Sequence, residues 1–284
     1  ARQKLLARMP QLKALQGTLG ASAAGLLHAM REISDVSREL NRLEVYASLK
    51  ADADKQVTAN EALNQQAAAV RSQFSQATAW EAPEVAAIGQ ARVESWIAAE
   101  PGLAPHAYAL RKMVRLAAHT LPASEETLLA GAADPLSQPE EIYSLLTNAD
   151  LPWPTITVHG KKVTLDQETY VKLREDGDAE VREQVFKSFW PVYKSFQRTI
   201  GAIYAAHLHG VVFDAHAHKF DNSLQAKLSQ DNTPEAVYRT LVAEANAGLP
   251  TLQRYLKLRG RLLGLKEQKY SDIYAELVKA PRTY

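Results

Sequence analysis

An apolar repeat at intervals of three and four residues constrains this chain more than any other feature. Between Ser22 and about Leu49, the side chains of Leu26, Met30, Ile33, Val36, Leu40, Leu43 and Ala47 share one face of a helix, because positions three and four apart stack along a 3.6-residue turn. The spacing predicts one long amphipathic helix. A second is expected from near Lys55 to Phe74, and a third from just after Pro83 to about Ala98, with Pro101, Gly102 and Pro105 as punctuation. Leu103–Ala118 and Ser124–Ala132 continue the pattern. Glu125 and Glu126 fall in the first turn of the latter and read as solvated acids that complement the helix dipole.

The helical texture stops at Leu151-Pro152-Trp153-Pro154, where paired prolines forbid helix and β-branched residues follow. Thr155-Ile156-Thr157-Val158 and Lys161-Lys162-Val163-Thr164-Leu165 flank His159-Gly160. Two connecting residues, one of them a glycine free to take positive φ, predict a β-hairpin. Helix resumes from Asp166, and Asp178 opens a long pattern in which Val181, Val185, Phe189, Val192, Phe196, Ile200 and Ile203 share a face. Pro191 interrupts that pattern and predicts a kink or break there. Thr233-Pro234-Glu235 predicts another helix start, with a hydroxyl N-cap and proline at the first helical position, running towards Leu263-Gly264. The expected fold is therefore mostly α, a multi-helix array with one short hairpin near 155–165.

Charge and composition remove several functions. Thirty-three Lys and Arg against thirty-two Asp and Glu leave almost no net charge, which argues against nucleic acid or an anionic bilayer as partner. With no cysteine there is no disulfide, thiolate metal site or cysteine nucleophile. No apolar run reaches the length of a membrane span. The N-terminal Ala1-Arg2-Gln3-Lys4 has neither an initiator methionine nor an apolar signal core. A cytoplasmic location is expected, with a processed secreted or periplasmic form left open.

The search for chemistry centres on histidine. A zincin requires His-Glu-x-x-His on one helix, since side chains four apart converge on one metal and the glutamate reaches its bound water. The eight histidines, His28, His106, His119, His159, His207, His209, His216 and His218, are never followed by glutamate. His207-Leu208-His209 and His216-Ala217-His218 form an obvious cluster. On a helix, residues two apart diverge by about 200°, and His209 and His216 lie roughly 10.5 Å apart along the axis. One ion joins them only if the helix breaks at Gly210, so the cluster reads as structural, with Asp214 and His218 as a surface pair. No Gly-x-Ser-x-Gly elbow, Walker-type loop or dinucleotide turn is present. Trp80, Trp96, Trp153 and Trp190 read as core or interface anchors. No catalytic or metal-binding residue is assigned, and substrate-binding residues stay unknown.

An ordered series of segments nevertheless resembles one family. Arg115-Leu116-Ala117-Ala118-His119-Thr120-Leu121 and Glu126-Thr127-Leu128-Leu129-Ala130 come first, followed by the Leu151–Leu165 stretch, Tyr170 and Asp178-Ala179-Glu180-Val181-Arg182. Asn232-Thr233-Pro234-Glu235, Leu252–Arg259, Leu262-Leu263-Gly264-Leu265 and Tyr270-Ser271-Asp272-Ile273-Tyr274 complete it. Together they are similar to the N-terminal part of the oligoendopeptidase F branch of the thimet-type zinc metallopeptidases. The resemblance implies a parent that hydrolyses short oligopeptides with a zinc-bound water in a deep cleft, of which this chain would supply a wall. It places the His-Glu-x-x-His helix and a further glutamate ligand beyond Tyr284, so no catalytic residue carries over. On that basis the chain alone is expected to bind no zinc and to be inactive. Its partners are expected to be an oligopeptide substrate and its own missing C-terminal catalytic half. Residues 1–150 are expected to form an N-terminal helical region, 151–200 the hairpin and start of the long helix, and 201–284 the beginning of the peptidase domain. The competing reading is a non-catalytic helical scaffold or protein-binding module.

Overall fold

A computed structural model describes residues 2–278; the closing Ala280–Tyr284 stretch lies outside the described residues. The helices α1 (Arg2–Lys13), α2 (Ala23–Ala53), α3 (Thr58–Thr78), α4 (Glu81–Ile88), α5 (Gln90–Ala99), α6 (Ala107–Arg115) and α7 (Ala123–Leu145) come first. The hairpin β1 (Thr155–Val158) and β2 (Lys161–Thr164) follows. The helices α8 (Gln167–Leu173), α9 (Ala179–Ser195), α10 (Gln197–Ala217), α11 (Ser223–Gln230) and α12 (Glu235–Leu262) complete the order. The fold is mostly α with a single two-stranded antiparallel sheet among the described residues, and no described helix is long and apolar enough to cross a membrane.

Two compact units emerge. The first contains the chain up to Ala149 together with Ile203–Thr233, and the second contains Asp150–Ala202 and the chain from Pro234. In the first, α2 starts where the Ser22 hydroxyl accepts from Gly25 N, and its stripe of Leu26, Met30, Ile33, Val36, Leu40 and Ala47 is buried. Leu5 and Leu12 of α1, Val70 and Phe74 of α3, and Trp80, Val85 and Leu110 complete this apolar core. The Trp80 indole N–H donates to Ala77 O at 2.6 Å, which satisfies the one polar atom it carries inside.

The second unit is built differently. Ile156 and Val158 of the hairpin face Leu165, Tyr170, Val181, Val185 and Phe189. Trp153 stacks on Phe189 with ring centroids 5.0 Å apart, and Tyr170 stacks on the same ring at 4.1 Å. Register pairs Val158 with Lys161 and Ile156 with Val163. The turn places both His159 (φ 47°) and Gly160 (φ 77°) in the left-handed region, the geometry of a type I′ turn. Inside this unit Arg182 Nη2 meets Asp272 Oδ1 at 2.8 Å, with the two side chains 2% and 6% exposed.

Several local expectations needed correction. Pro83 sits within the first turn of α4 instead of preceding it, because a first-turn proline has no intrahelical donor to lose. Gly89, at φ 82°, then separates α4 from α5. Helix α7 runs to Leu145 through Pro135 and Pro139, well past Ala132. Each proline forfeits only its own donor, and on an exposed helix water takes up the freed carbonyls. Helix α9 likewise passes through Pro191 and ends at Ser195, so the interruption falls at Phe196, whose N–H turns back to Tyr193 O. Pro234, not Thr233, is the N-cap of α12, and no side chain caps that end. Asn232 at φ 54° turns the chain there, and the Thr233 N–H goes to Leu228 O.

Candidate functional site

The first unit holds a cleft of about 620 Å³ whose floor is apolar, with Leu116, Leu136, Val211 and Phe220, and whose rim carries His119, His207, Asp214 and His218. Its shape originates at the C-terminus of α10. There Phe220 N–H reaches Ala215 O and Lys219 N–H reaches His216 O, while Lys219 takes φ 59°. This is a Schellman ending with lysine where glycine is the usual occupant, and Ala215 and Phe220, which its longer hydrogen bond joins, are both buried. Phe220 is thereby turned inward, and the His119 ring stacks on it at 3.7 Å with planes 9° apart.

Hydrogen bonds hold the two inner histidines in place. His119 Nδ1 lies 3.0 Å from His218 O; a carbonyl only accepts, so Nδ1 carries a proton and donates it there. His218 Nδ1 donates in the same way to Asp214 O at 3.0 Å and also lies 3.3 Å from Asp214 Oδ1. Its Nε2 is 3.6 Å from Glu126 Oε2, and the other Glu126 oxygen accepts from Leu121 N at 2.8 Å. Glu126 does support the N-terminus of α7, as its position in the sequence suggests. It is also a partly buried partner of His218, which sequence spacing gave no means of seeing, since ninety-odd residues separate the two.

The other histidines are dispersed. Helix α10 continues unbroken through Gly210, so His209 and His216 are exposed on separate turns and the pair does not converge. His159 pairs with Asp176 across 2.8 Å in the second unit. Burial and then Arg31 hold the His106 imidazole below its ordinary value. Among the described residues no group of three His, Asp or Glu side chains is arranged to hold a metal ion. Nor does any serine hydroxyl among them reach a histidine ring: Ser137, on the cleft wall, donates to Asp134 O. The arrangement suits binding in an apolar trough with polar margins.

A second cavity of about 410 Å³ adjoins this cleft and shares Glu126, Ala133, Asp214 and His218 with it. Glu81, at the start of α4, lines its far side, and burial pushes the Glu81 carboxyl up to about 7. Nothing in the sequence marks Glu81, which there reads as one more acid in a helix's first turn.

Residues 84–152 match the family model described as Oligopeptidase F, and residues 172–283 match the model of Peptidase family M3. A group B oligopeptidase, PepB, from Streptococcus agalactiae is 31% identical over 266 residues, 93% of this chain and 44% of that protein. Oligopeptidase PepF from Bacillus subtilis is 30% identical over 95% of this chain and 41% of its own length. The crystal structure of oligoendopeptidase-F from Enterococcus faecium superposes with a TM-score of 0.91 at 33% identity, covering 98% of this chain and 55% of that one. This chain thus spans about half the length of the relatives it matches.

Proposed function

On the premise that this chain belongs to peptidase family M3, in its oligopeptidase F branch, we propose that it is the substrate-enclosing half of a zinc-dependent metalloendopeptidase acting on short oligopeptides. The observation that carries the reading is the close superposition of nearly the whole chain on about half of the Enterococcus faecium oligoendopeptidase-F. As to organisation, residues 1–150 are its helical region, 151–200 the hairpin module and 201–284 the opening of the peptidase domain.

The donors present here do not fit a catalytic zinc. The sequence has no His-Glu-x-x-His, and the described residues bring no three suitable ligands together. No catalytic step is therefore assigned to these side chains. Their part is to bind and enclose: the apolar trough of the first unit is of a size to take a few peptide residues, and enclosure keeps folded proteins out. Exposed apolar side chains support a role for the other half as partner. In the first unit Tyr204, Leu208, Val212 and Phe213 of α10 are exposed, and in the second so are Val237, Leu241, Leu252 and Leu258 of α12.

Complementation tests the proposal. This chain is mixed with a separately produced C-terminal half from a full-length relative, and cleavage of a fluorogenic oligopeptide is followed with and without a zinc chelator. Chelator-sensitive cleavage only in the mixture, with no stoichiometric zinc on this chain by elemental analysis, is the expected result. Halves that neither associate nor cleave, alongside a monomeric and cooperatively folded chain, would replace this reading with the helical scaffold.

A further inference from the structure

The two edges of the hairpin in the second unit differ. Val158 and Lys161 close a two-residue turn, Ile156 faces Val163, and Leu165 N–H donates to Pro154 O at 2.8 Å, so these three pairs hold the hydrogen bonds of the ladder. The backbone groups of the alternate residues therefore point outward, those of Thr155 and Thr157 from β1 and those of Lys162 and Thr164 from β2. On the β1 side α9 is close: Ile156 and Val158 cluster with Val181, Val185 and Phe189, and Gln184 Nε2 reaches the outward Thr157 O at 3.5 Å. On the β2 side no further strand pairs among the described residues, both Lys162 and Thr164 are exposed, and none of those residues bonds to their outward groups. That edge offers two donors and two acceptors two residues apart, a spacing that another extended chain matches. The side chains narrow the choice. Thr155, Thr157, Lys162 and Thr164 share the outer face of the hairpin, while Val163 lies half-buried on the core face. A second copy of this chain fits poorly, because pairing β2 with its own equivalent sets lysines against lysines.

Resting on the oligopeptide reading above, we propose that the free edge of β2 binds an extended oligopeptide as a third, antiparallel strand, with an acidic side chain beside Lys162 and an apolar one beside Val163. Backbone bonds that any peptide can make supply the affinity, and the alternating side chains add a preference. Such an edge selects unstructured chain, since a folded protein has its own amides already paired.

Titration of this chain, labelled with nitrogen-15, with acetyl-Thr-Val-Glu-Val-Thr amide tests the proposal by NMR. Saturable shifts are expected at the Lys162 and Thr164 amides. Two N-methylated twins of the peptide then read the register without any change to the protein. Methylation of the glutamate nitrogen, whose N–H faces β2 when that residue lies opposite Lys162, should weaken binding about tenfold, as expected for one hydrogen bond lost without replacement. Methylation of both valine nitrogens, which face away, should leave binding within about threefold of the parent peptide. Lys162→Pro should reproduce the first loss, because proline there deletes only an outward donor of an edge strand, with the Val163 amide still protected from exchange. Lys162→Thr keeps that donor and should lose no more than about threefold, the worth of an exposed ion pair. The absence of shifts at both amides up to ~10 mM peptide, a Kd too weak to matter, overturns the proposal. So do twins that weaken binding equally, or a chain that is dimeric in sedimentation and made monomeric by Lys162→Pro, which gives the edge to a second copy. Because hydrolysis is not measured, failure here leaves the complementation result standing, and failed complementation with peptide binding intact sinks only the peptidase reading.

Discussion

Helices α2 and α12 carry the same kind of apolar stripe, and the two units treat them in opposite ways. Helix α2 buries Leu26, Met30, Ile33, Val36 and Leu40 in the first unit, among the aliphatic side chains of α1, α3 and α4. Helix α12 leaves Val237, Leu241, Leu252, Tyr255 and Leu258 exposed and buries only Arg259 and Gly260 near its end. An amphipathic stripe therefore specifies that a helix wants a partner, not where the partner is. The second unit compensates with specific interactions: a stack of Trp153, Phe189 and Tyr170, and an enclosed Arg182–Asp272 pair. A large apolar core holds the first unit, while the second adds aromatic stacks and an enclosed ion pair to a smaller apolar cluster.

The sharpest way to break this contrast is Arg182→Ala. Its guanidinium also donates to Asp176 O and Gly177 O, so its loss strands a buried Asp272 and two carbonyls. A loss of about 3–5 kcal/mol is expected, read by denaturant unfolding followed through the tryptophans of the second unit. A much smaller loss would show that the aromatic stack suffices alone.

The first unit should show the next largest effect, through pH. Between the ordinary carboxyl value of 4.5 and about 7, folded Glu81 holds a proton that the unfolded chain has released. Stability therefore falls as pH rises through that window, by ~3 kcal/mol overall, and the penalty is complete above about 7. Glu81→Gln should flatten this profile in urea titrations at pH 5 and pH 8. An unchanged slope would place the cavity acid in free contact with water.

Close packing predicts a smaller effect at Gly102. A Cβ added there would stand 2.5 Å from Leu27 Cδ2 and 3.0 Å from Arg31 Nη2. Gly102→Ala should cost about 1–2 kcal/mol as Leu27 is pushed within its buried site, measurable as a shift in thermal midpoint. The smallest effect is expected from Leu241→Ala on α12. With Leu241 67% exposed, the change should stay within about 0.5 kcal/mol for this chain alone. The same substitution should weaken assembly with the C-terminal half several-fold in a binding titration. If it does not, that face of α12 is not the one the partner covers.

Much of the fold was legible because it rests on local rules. The Ser22 cap, the His159-Gly160 turn and the Asp166 and Asp178 caps are each written in a few adjacent residues. The break expected at Pro191 falls at Phe196 for an equally local reason: a proline removes one hydrogen bond, and neighbouring turns carry the helix past it, as they do at Pro135 and Pro139. The site was far less legible. His119 and Glu126 stood out as parts of a family-like segment. That His119 stacks on Phe220, and that Glu126 faces His218, depends on contacts spanning about a hundred residues.

What the sequence determined by itself is the menu of elements and an exclusion. Short-range periodicity and capping specify the helices and the hairpin, and the absence of glutamate after any histidine rules out a zincin motif within this chain. Only the tertiary structure decided which stripes are covered. It also returned Ile203–Thr233 to the first unit and placed Glu81 against a cavity shared with Glu126, Asp214 and His218. The physical reason is range. Backbone geometry and caps act over three or four residues, whereas burial and electrostatic environment depend on which distant surfaces exclude water together.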